Sequence, residues 1–264
     1  MEWEKTLHRK MARELALRIL RGEYGPESRL PNEEHLLKEF EVSRTVLREA
    51  IKTLQAKGLV SVRQKLGATV RASDQWHLFD EDILRWQSEV TPLGEVLSEM
   101  LEIRWMIEPM AAALAAERAD PEAVGTLLQC VERMSVERLH TPEGQEADLL
   151  FHQTIMKSSG NRFVVAMEPV ISRALEILFR VTSINPEASE QAQPYHEQIA
   201  ESIASQNPES AREAYYQLLQ HSAAHKDEFL QILGSSPGLP QDLPEGSGNF
   251  RGALPPLLQS KIGG

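Results

Sequence analysis

Apolar residues at Leu7, Met11, Leu15 and Ile19 recur at every fourth position, with charged residues between them. That period lines them along one side of a helix, which "RGEYGPESRLP" ends through Gly22, Gly25 and Pro26. Pro31 and Asn32 open a second, shorter helix, "NEEHLLKEF", with Leu36, Leu37 and Phe40 on its buried side. After the turn "EVS", Ser43 is the expected N-cap of a third, "RTVLREAIKTLQAKG". Its Leu47, Ala50, Ile51 and Leu54 face inward and Gly58 supplies the stop, which leaves Arg44, Thr45, Arg48 and Lys52 outside. Two short β-like runs follow, "LVSV" and "TVRA", joined by "RQKLGA". Three helices and then a hairpin is the order of a winged helix-turn-helix.

The pattern changes at "SDQWHLFDEDILRWQSEVTP", a junction whose Trp76 and Trp86 are expected to pack and can seat one half of the chain on the other. From about Leu93 to Leu233 apolar residues return at helical spacing, with "NRFVVAMEPVISRALEILFRVTSI" read as one helix, and Gly, Pro or Asn marks the joints. The expected fold is mainly α. It comprises a winged helix-turn-helix over residues 1–75, a junction over 76–92 and an all-helical antiparallel bundle over 93–233. The last 31 residues, 234–264, contain 12 Gly or Pro and read as a disordered tail or a non-native ending.

Composition adds a division of labour. The chain of 264 residues carries a net charge of −11, yet residues 1–75 hold 15 Lys/Arg against 11 Asp/Glu while residues 76–264 hold 13 against 28. A weakly basic first part can follow phosphates, and an acidic remainder stays off them. A single cysteine, Cys130, excludes an internal disulfide framework and a Cys-rich zinc module, which points to the cytoplasm. The charged N-terminus is unlike a signal peptide, and no run approaches the roughly 18 apolar residues of a membrane span, so no membrane partner is expected.

Two groups of residues carry candidate chemistry. Arg44, Thr45 and Arg48 stand at the exposed N-terminal end of the third helix, where guanidinium groups can pair two-pronged with guanine and threonine can reach a phosphate or a thymine methyl; a solvated charged face is the plain alternative. In "ADLLFH", Asp148 and His152 are one helical turn apart and project from the same face. That spacing suits a shared metal ion, or simply a hydrogen bond along the helix.

The stretch "RLPNEEHLLKEFEVSRTVLREAIKTLQAKGLVSVRQKLGATV" resembles the DNA-binding domain of the GntR family of bacterial transcription regulators, with its leucine-proline entry, "VSR-T-REA" helix, "GL" exit and glycine-bearing wing. The resemblance implies a homodimer on an imperfect palindrome of double-stranded DNA. Arg44, Thr45, Arg48 and Lys52 would lie toward the major groove and a wing of Gln64, Lys65 and Gly67 toward the minor groove. Glu34 stands where the family usually has an arginine, and Lys65 and Leu66 replace the usual wing-tip glycine and basic residue.

The helical half resembles the FCD ligand-binding domain of the FadR subfamily, through "LEIRWMIEPMAAALAAERA", "DLLFH", "SGN", "HEQIAESI" and "LLQHSAAH". This implies a divalent metal, with zinc first and nickel or manganese as alternatives, on Asp148, His152, His196 and His221, with His225 as an alternative to His221. It also implies a small carboxylate effector held by Arg104, with an amide contact from Asn161 unless that residue caps a helix. "DQWHLFDEDILRWQ" with "LSEMLEIRWMIEP" is similar to galactonate-responsive repressors, which implies an aldonate or hexuronate; "FRVTSINPEASEQAQP" departs from them.

The function expected is therefore that of an effector-controlled repressor. A metal-dependent hydrolase or lyase is the alternative, but Gln153 and Thr154 beside the ligands offer no general base. A purely structural metal is the third reading.

Overall fold

The four-residue apolar period is realised as α1 (Leu7–Leu20), in which Met11, Leu15 and Ile19 are buried while Leu7, at the helix start, is exposed. The structure, a computed structural model, describes residues 6–63, 67–182 and 186–224. In α2 (Glu33–Phe40) the Asn32 side chain accepts the His35 N–H at 2.9 Å, and in α3 (Arg44–Ala56) Ser43 Oγ accepts the Val46 N–H at 3.3 Å. Both caps satisfy donors that the first helical turn leaves without partners.

The end of α3 explains the glycine there. Gly58 has φ +77° and its N–H bonds the Gln55 carbonyl, while the Leu59 N–H reaches back to Leu54. Leu54 and Leu59, both fully buried, complete this Schellman closure with an apolar contact. β1 (Val60–Arg63) then pairs antiparallel with β2 (Gly67–Val70), Val60 opposite Val70, and Arg29 bridges Thr69 from the other side. The second strand begins at Gly67, earlier than the β-branched run at Thr69 suggests, because Gly67 pairs with Arg63.

A short 3-10 turn, Ser73–Gln75, leads to α4 (Glu81–Val90), and this helix belongs to two cores. Its Ile83 and Trp86 are buried with Met11, Leu15, Leu47 and Leu54, whereas Leu84 packs with Leu97, Met100 and Ile177. Trp76 packs partly against the same N-terminal core, and its indole N–H donates to the Arg71 carbonyl at 3.1 Å. Both tryptophans thus take the packing role, on the N-terminal side.

The bundle is built from α5 (Leu93–Arg118), α6 (Pro121–Glu137), α7 (Pro142–Ser158), α8 (Arg162–Val165), α9 (Glu168–Thr182), α10 (Pro186–Glu190), α11 (Gln193–Ala204) and α12 (Pro208–Ala224). α5 packs on α7, α9, α11 and α12, and α6 on α7 and α11. Pro109 lies inside α5 and cannot donate a backbone hydrogen bond, yet the helix continues to Arg118. The buried residues Ala111, Ala112, Ala115 and Ala116 hold its second half against the core.

Two expectations are corrected. The segment from Asn161 to Thr182 is two helices and not one: α8 ends at Val165 and α9 starts at Glu168, with Pro169 in its first turn, where the missing N–H costs no helical hydrogen bond. The short α10, opened by Pro186, falls in a stretch assigned to no helix. The corner before α7 also requires a bare backbone: a Cβ on Gly144 would lie 2.0 Å from the Arg138 carbonyl oxygen. The end of the last helix after Ala224, the tail from Gly234, and Gln64 and Lys65 of the wing lie outside the described residues. No helix among the described residues is long and apolar enough to cross a membrane.

Replacing Gly58 by alanine forces a left-handed conformation on a residue with a Cβ and drives that atom to within 2.6 Å of the Gln75 carbonyl oxygen. We expect Gly58→Ala to cost at least about 1–2 kcal/mol in urea unfolding of the full chain. An unchanged midpoint would contradict this account of the turn.

Candidate functional site

Along α3, Arg44, Thr45 and Arg48 in its N-terminal half and Lys52 beyond them are all exposed. The helix buries Leu47, Ala50 and Leu54, so its amphipathic pattern leaves this polar face for solvent or a partner. Arg44 Nε lies 3.5 Å from Glu33 at the start of α2, and Lys52 Nζ lies 2.8 Å from Glu49. Both are exposed ion pairs of the weak kind that another anion can displace. Between the two helices Glu41 takes a left-handed conformation, φ 51°, which makes the tight turn of a helix-turn-helix. Gly67, with φ +82°, opens the second wing strand.

The second group lies inside the bundle. Asp148 and His152 of α7 meet His196 of α11, and one ligand atom from each lies within 4.8 Å of the others. His152 Nε2 is 3.3 Å, and His196 Nε2 3.1 Å, from the same Asp148 oxygen, Oδ1. All three residues are buried, and Phe151 packs its ring against both imidazoles.

Which nitrogen carries the proton follows from the partners. His196 Nδ1 lies 3.0 Å from the Ala192 carbonyl, which only accepts, so Nδ1 donates. His152 Nδ1 lies 2.8 Å from Glu108 Oε1 and donates to that carboxylate. With Nδ1 so engaged, Nε2 of each ring is the edge that faces the carboxylate oxygen of Asp148, and in the neutral imidazole that edge carries the lone pair. Asp148 Oδ1 is buried and has no hydrogen-bond partner. Three electron pairs converging in an apolar interior repel unless a cation or extra protons stand among them. The donor set fits a divalent ion of zinc-like hardness, with oxygen and two nitrogens from two helices.

Behind His152 the network continues. Glu108 Oε2 accepts Arg104 Nε at 2.6 Å, and Glu108 Oε1 accepts the Tyr215 hydroxyl at 2.8 Å. Arg104, Glu108 and Tyr215 are no more than 1% exposed. Burial alone would raise the Glu108 and Asp148 carboxyls, but Arg104 and His152 beside Glu108, and His196 and His152 beside Asp148 when protons rather than an ion stand between them, hold both well below the usual range. Burial lowers His152, and the Glu108 and Asp148 carboxylates outweigh it and raise its pKa. Burial and the Glu108 charge push the Tyr215 phenol up, so it stays a donor.

Three of the expected ligands are thus brought together. His221 is not in the group: it is half-buried on α12, its ring 5.5 Å from that of Tyr195, and His225 lies outside the described residues. Arg104 sits in the network with Nη1 buried and without a hydrogen-bond partner. Asn161 takes the capping role, accepting the Phe163 N–H at 3.0 Å at the start of α8. Glu108 and Tyr215 were missed. Arg104 and Glu108 share the one-turn spacing of Asp148 and His152, but in a sequence such a pair reads as a surface ion pair.

Residues 7–70 match the model of the bacterial regulatory proteins of the gntR family, and residues 99–221 match the FCD domain. The galactonate operon transcriptional repressor of Escherichia coli strain K12 is 29% identical over 216 residues, 81% of this chain and 94% of that protein. The uncharacterized HTH-type transcriptional regulator YieP of the same strain is 32% identical over 218 residues, covering 82% and 94%. Among solved structures, that of Lar, which controls expression of the agr system in Listeria monocytogenes, is 26% identical with a TM-score of 0.51, covering 87% of this chain and 98% of its own.

If a divalent ion occupies the Asp148 group, it competes with a proton on His152 Nε2. Calorimetric titration of zinc near neutral pH should therefore release protons and give apparent heats that differ between buffers of different ionisation enthalpy. His196→Ala and Asp148→Asn should remove the binding. Equal heats in both buffers would count against this arrangement.

Proposed function

This chain belongs to the gntR family of bacterial regulatory proteins and carries an FCD domain, and we propose that it represses a sugar-acid catabolic operon. It is a DNA-binding transcriptional regulator and not an enzyme. In our reading it binds an imperfect palindrome as a homodimer and leaves it when an aldonate or hexuronate enters the FCD half. The similarity to a galactonate operon repressor over 94% of that protein supports the sugar-acid class. The observation that carries the reading is one buried place where a carboxylate oxygen and the Nε2 atoms of two imidazoles converge, within one network with an arginine whose Nη1 has no hydrogen-bond partner.

Asp148, His152 and His196 would hold the ion. Bound there, it supplies positive charge that can anchor oxygens of a carboxylate and its neighbouring hydroxyl. Arg104 keeps Nε on Glu108 and offers Nη1 to the effector's carboxylate, a charge-assisted bond worth more in a dry site than in water.

A contact route joins this place to α3. Gln153, the residue after His152, donates to Glu168 of α9 at 2.7 Å. Further along α9, Arg173 Nε donates to Ser88 of α4 at 3.1 Å. At the other end of α4, Lys57, just past α3, pairs with Asp80 at 2.6 Å and Asp82 at 2.5 Å and lies over the Trp86 ring. A cleft of about 200 Å³ lies between α4 and the α7–α9 pair. Effector binding that favours another α4 position changes the spacing of the two recognition helices in the dimer. DNA affinity then falls by the differential binding energy, typically ~1–3 kcal/mol.

The experiment is a fluorescence-anisotropy titration of labelled DNA from upstream of the protein's own gene, at fixed salt, with galactonate and hexuronates in turn. One acid is expected to weaken specific binding by about 5–150-fold. Binding indifferent to every acid would sink the sugar-acid class and leave the DNA-reading half standing. Arg48→Ala should lose roughly 1–3 kcal/mol of specific binding while zinc affinity stays unchanged.

A further inference from the structure

The two histidines of the Asp148 group are oriented by different means. His196 donates Nδ1–H to Ala192, a carbonyl of its own helix one turn back, so local backbone geometry suffices to aim its ring. His152 has no such local partner. Its Nδ1 meets Glu108, a residue 44 positions away on α5, and the Tyr215 hydroxyl from α12 also lies against it.

Glu108 stands behind the imidazole and not in the ligand group. It touches Nδ1, whereas Asp148 touches Nε2 on the opposite edge of the ring. Its own position is fixed from two sides. Arg104, one turn earlier on α5, holds Oε2 through Nε, and Tyr215 donates to Oε1. A carboxylate so held accepts a hydrogen bond from Nδ1–H, fixes the tautomer that leaves Nε2 to the metal, and makes that nitrogen a stronger donor than a neutral acceptor would. The Glu108 carboxylate is buried and charged, and Arg104 neutralises it.

We propose that Glu108, clamped by Arg104 and Tyr215, is the positioning residue that makes His152 a metal ligand, so that Arg104 supports the metal centre as well as any effector. This rests on the reading of Asp148, His152 and His196 as a metal group. Glu108 is not itself a ligand: its carboxylate acts through the ring.

The test uses the full chain with zinc as the probe. Affinity is measured by competition with a chromophoric chelator for wild type, Asp148→Asn and Glu108→Gln. Because Glu108→Gln leaves Arg104 a buried cation without its partner, R104M/E108Q is made as well, which removes both charges; circular dichroism checks that each remains helical. We expect Asp148→Asn to abolish binding, and both Glu108 variants to weaken it about 10–100-fold.

A second readout separates positioning from general loosening. Long-range proton–nitrogen spectra of histidine-labelled, zinc-loaded wild type should show zinc on His152 Nε2 and a slowly exchanging proton on Nδ1. The same Nδ1 proton should be lost to fast exchange in R104M/E108Q. If wild type binds zinc, Asp148→Asn does not, and the Glu108 variants match wild type, this inference fails while the metal group stands. Zinc on Nδ1 of His152 would also overturn it. If wild type takes up no zinc at all, both readings fall together.

Discussion

A buried carboxylate oxygen that meets only two imidazole edges is the constraint on which the FCD half turns. Asp148 Oδ1 faces the Nε2 edges of two imidazoles whose Nδ1 edges are engaged by Glu108 and the Ala192 carbonyl. Removing a charge from water is costly, so such a place persists only where opposite charge balances it. Arg104 and Glu108 form one compensated pair, and His152 links that pair to Asp148. The remaining imbalance lies at the Nε2 edge, where a cation is the natural complement. The bundle therefore carries polar work in its interior and leaves its outer faces acidic and solvated.

The second organising feature is α4. A linker that only tethered two cores would be free of both, but α4 donates Ile83 and Trp86 to one and Leu84 to the other. Polar residues of α4 and its N-cap extend this double attachment: Asp80 and Asp82 hold Lys57 next to α3, Glu89 pairs with Arg13 of α1, and Ser88 receives Arg173 of α9. A rigid helix fixed to both sides transmits a displacement that a flexible linker would absorb, because packed interiors move between discrete arrangements and do not deform smoothly.

The acidic bundle and weakly basic N-terminal part are complementary in function. Net charge says little of affinity when the cations are gathered on one helix end. Arg44, Thr45, Arg48 and Lys52 are exposed along α3 because Leu47, Ala50 and Leu54 occupy its other side. A buried stripe thus defines an exposed one.

Local rules made the N-terminal half legible. Asn32 and Ser43 as caps, Gly58 as the left-handed stop, and the apolar stripes of α1 to α3 all follow from interactions within a few residues of each other, as did the adjacent pairing of β1 with β2. Asp148 and His152 were legible for the same reason, being one turn apart on one helix. The joint at Pro169 was misread although its signal was local, because an apolar run masked the proline. What only the tertiary structure decided is which distant side chains meet. His196 joins Asp148 and His221 does not join the group, Arg104 is sequestered by Glu108, and Tyr215 comes from α12 to donate to Glu108. Periodicity says which face of a helix is buried, but not which partner it is buried against. That choice depends on helix packing across the bundle, where residues more than a hundred positions apart share one hydrogen-bond network.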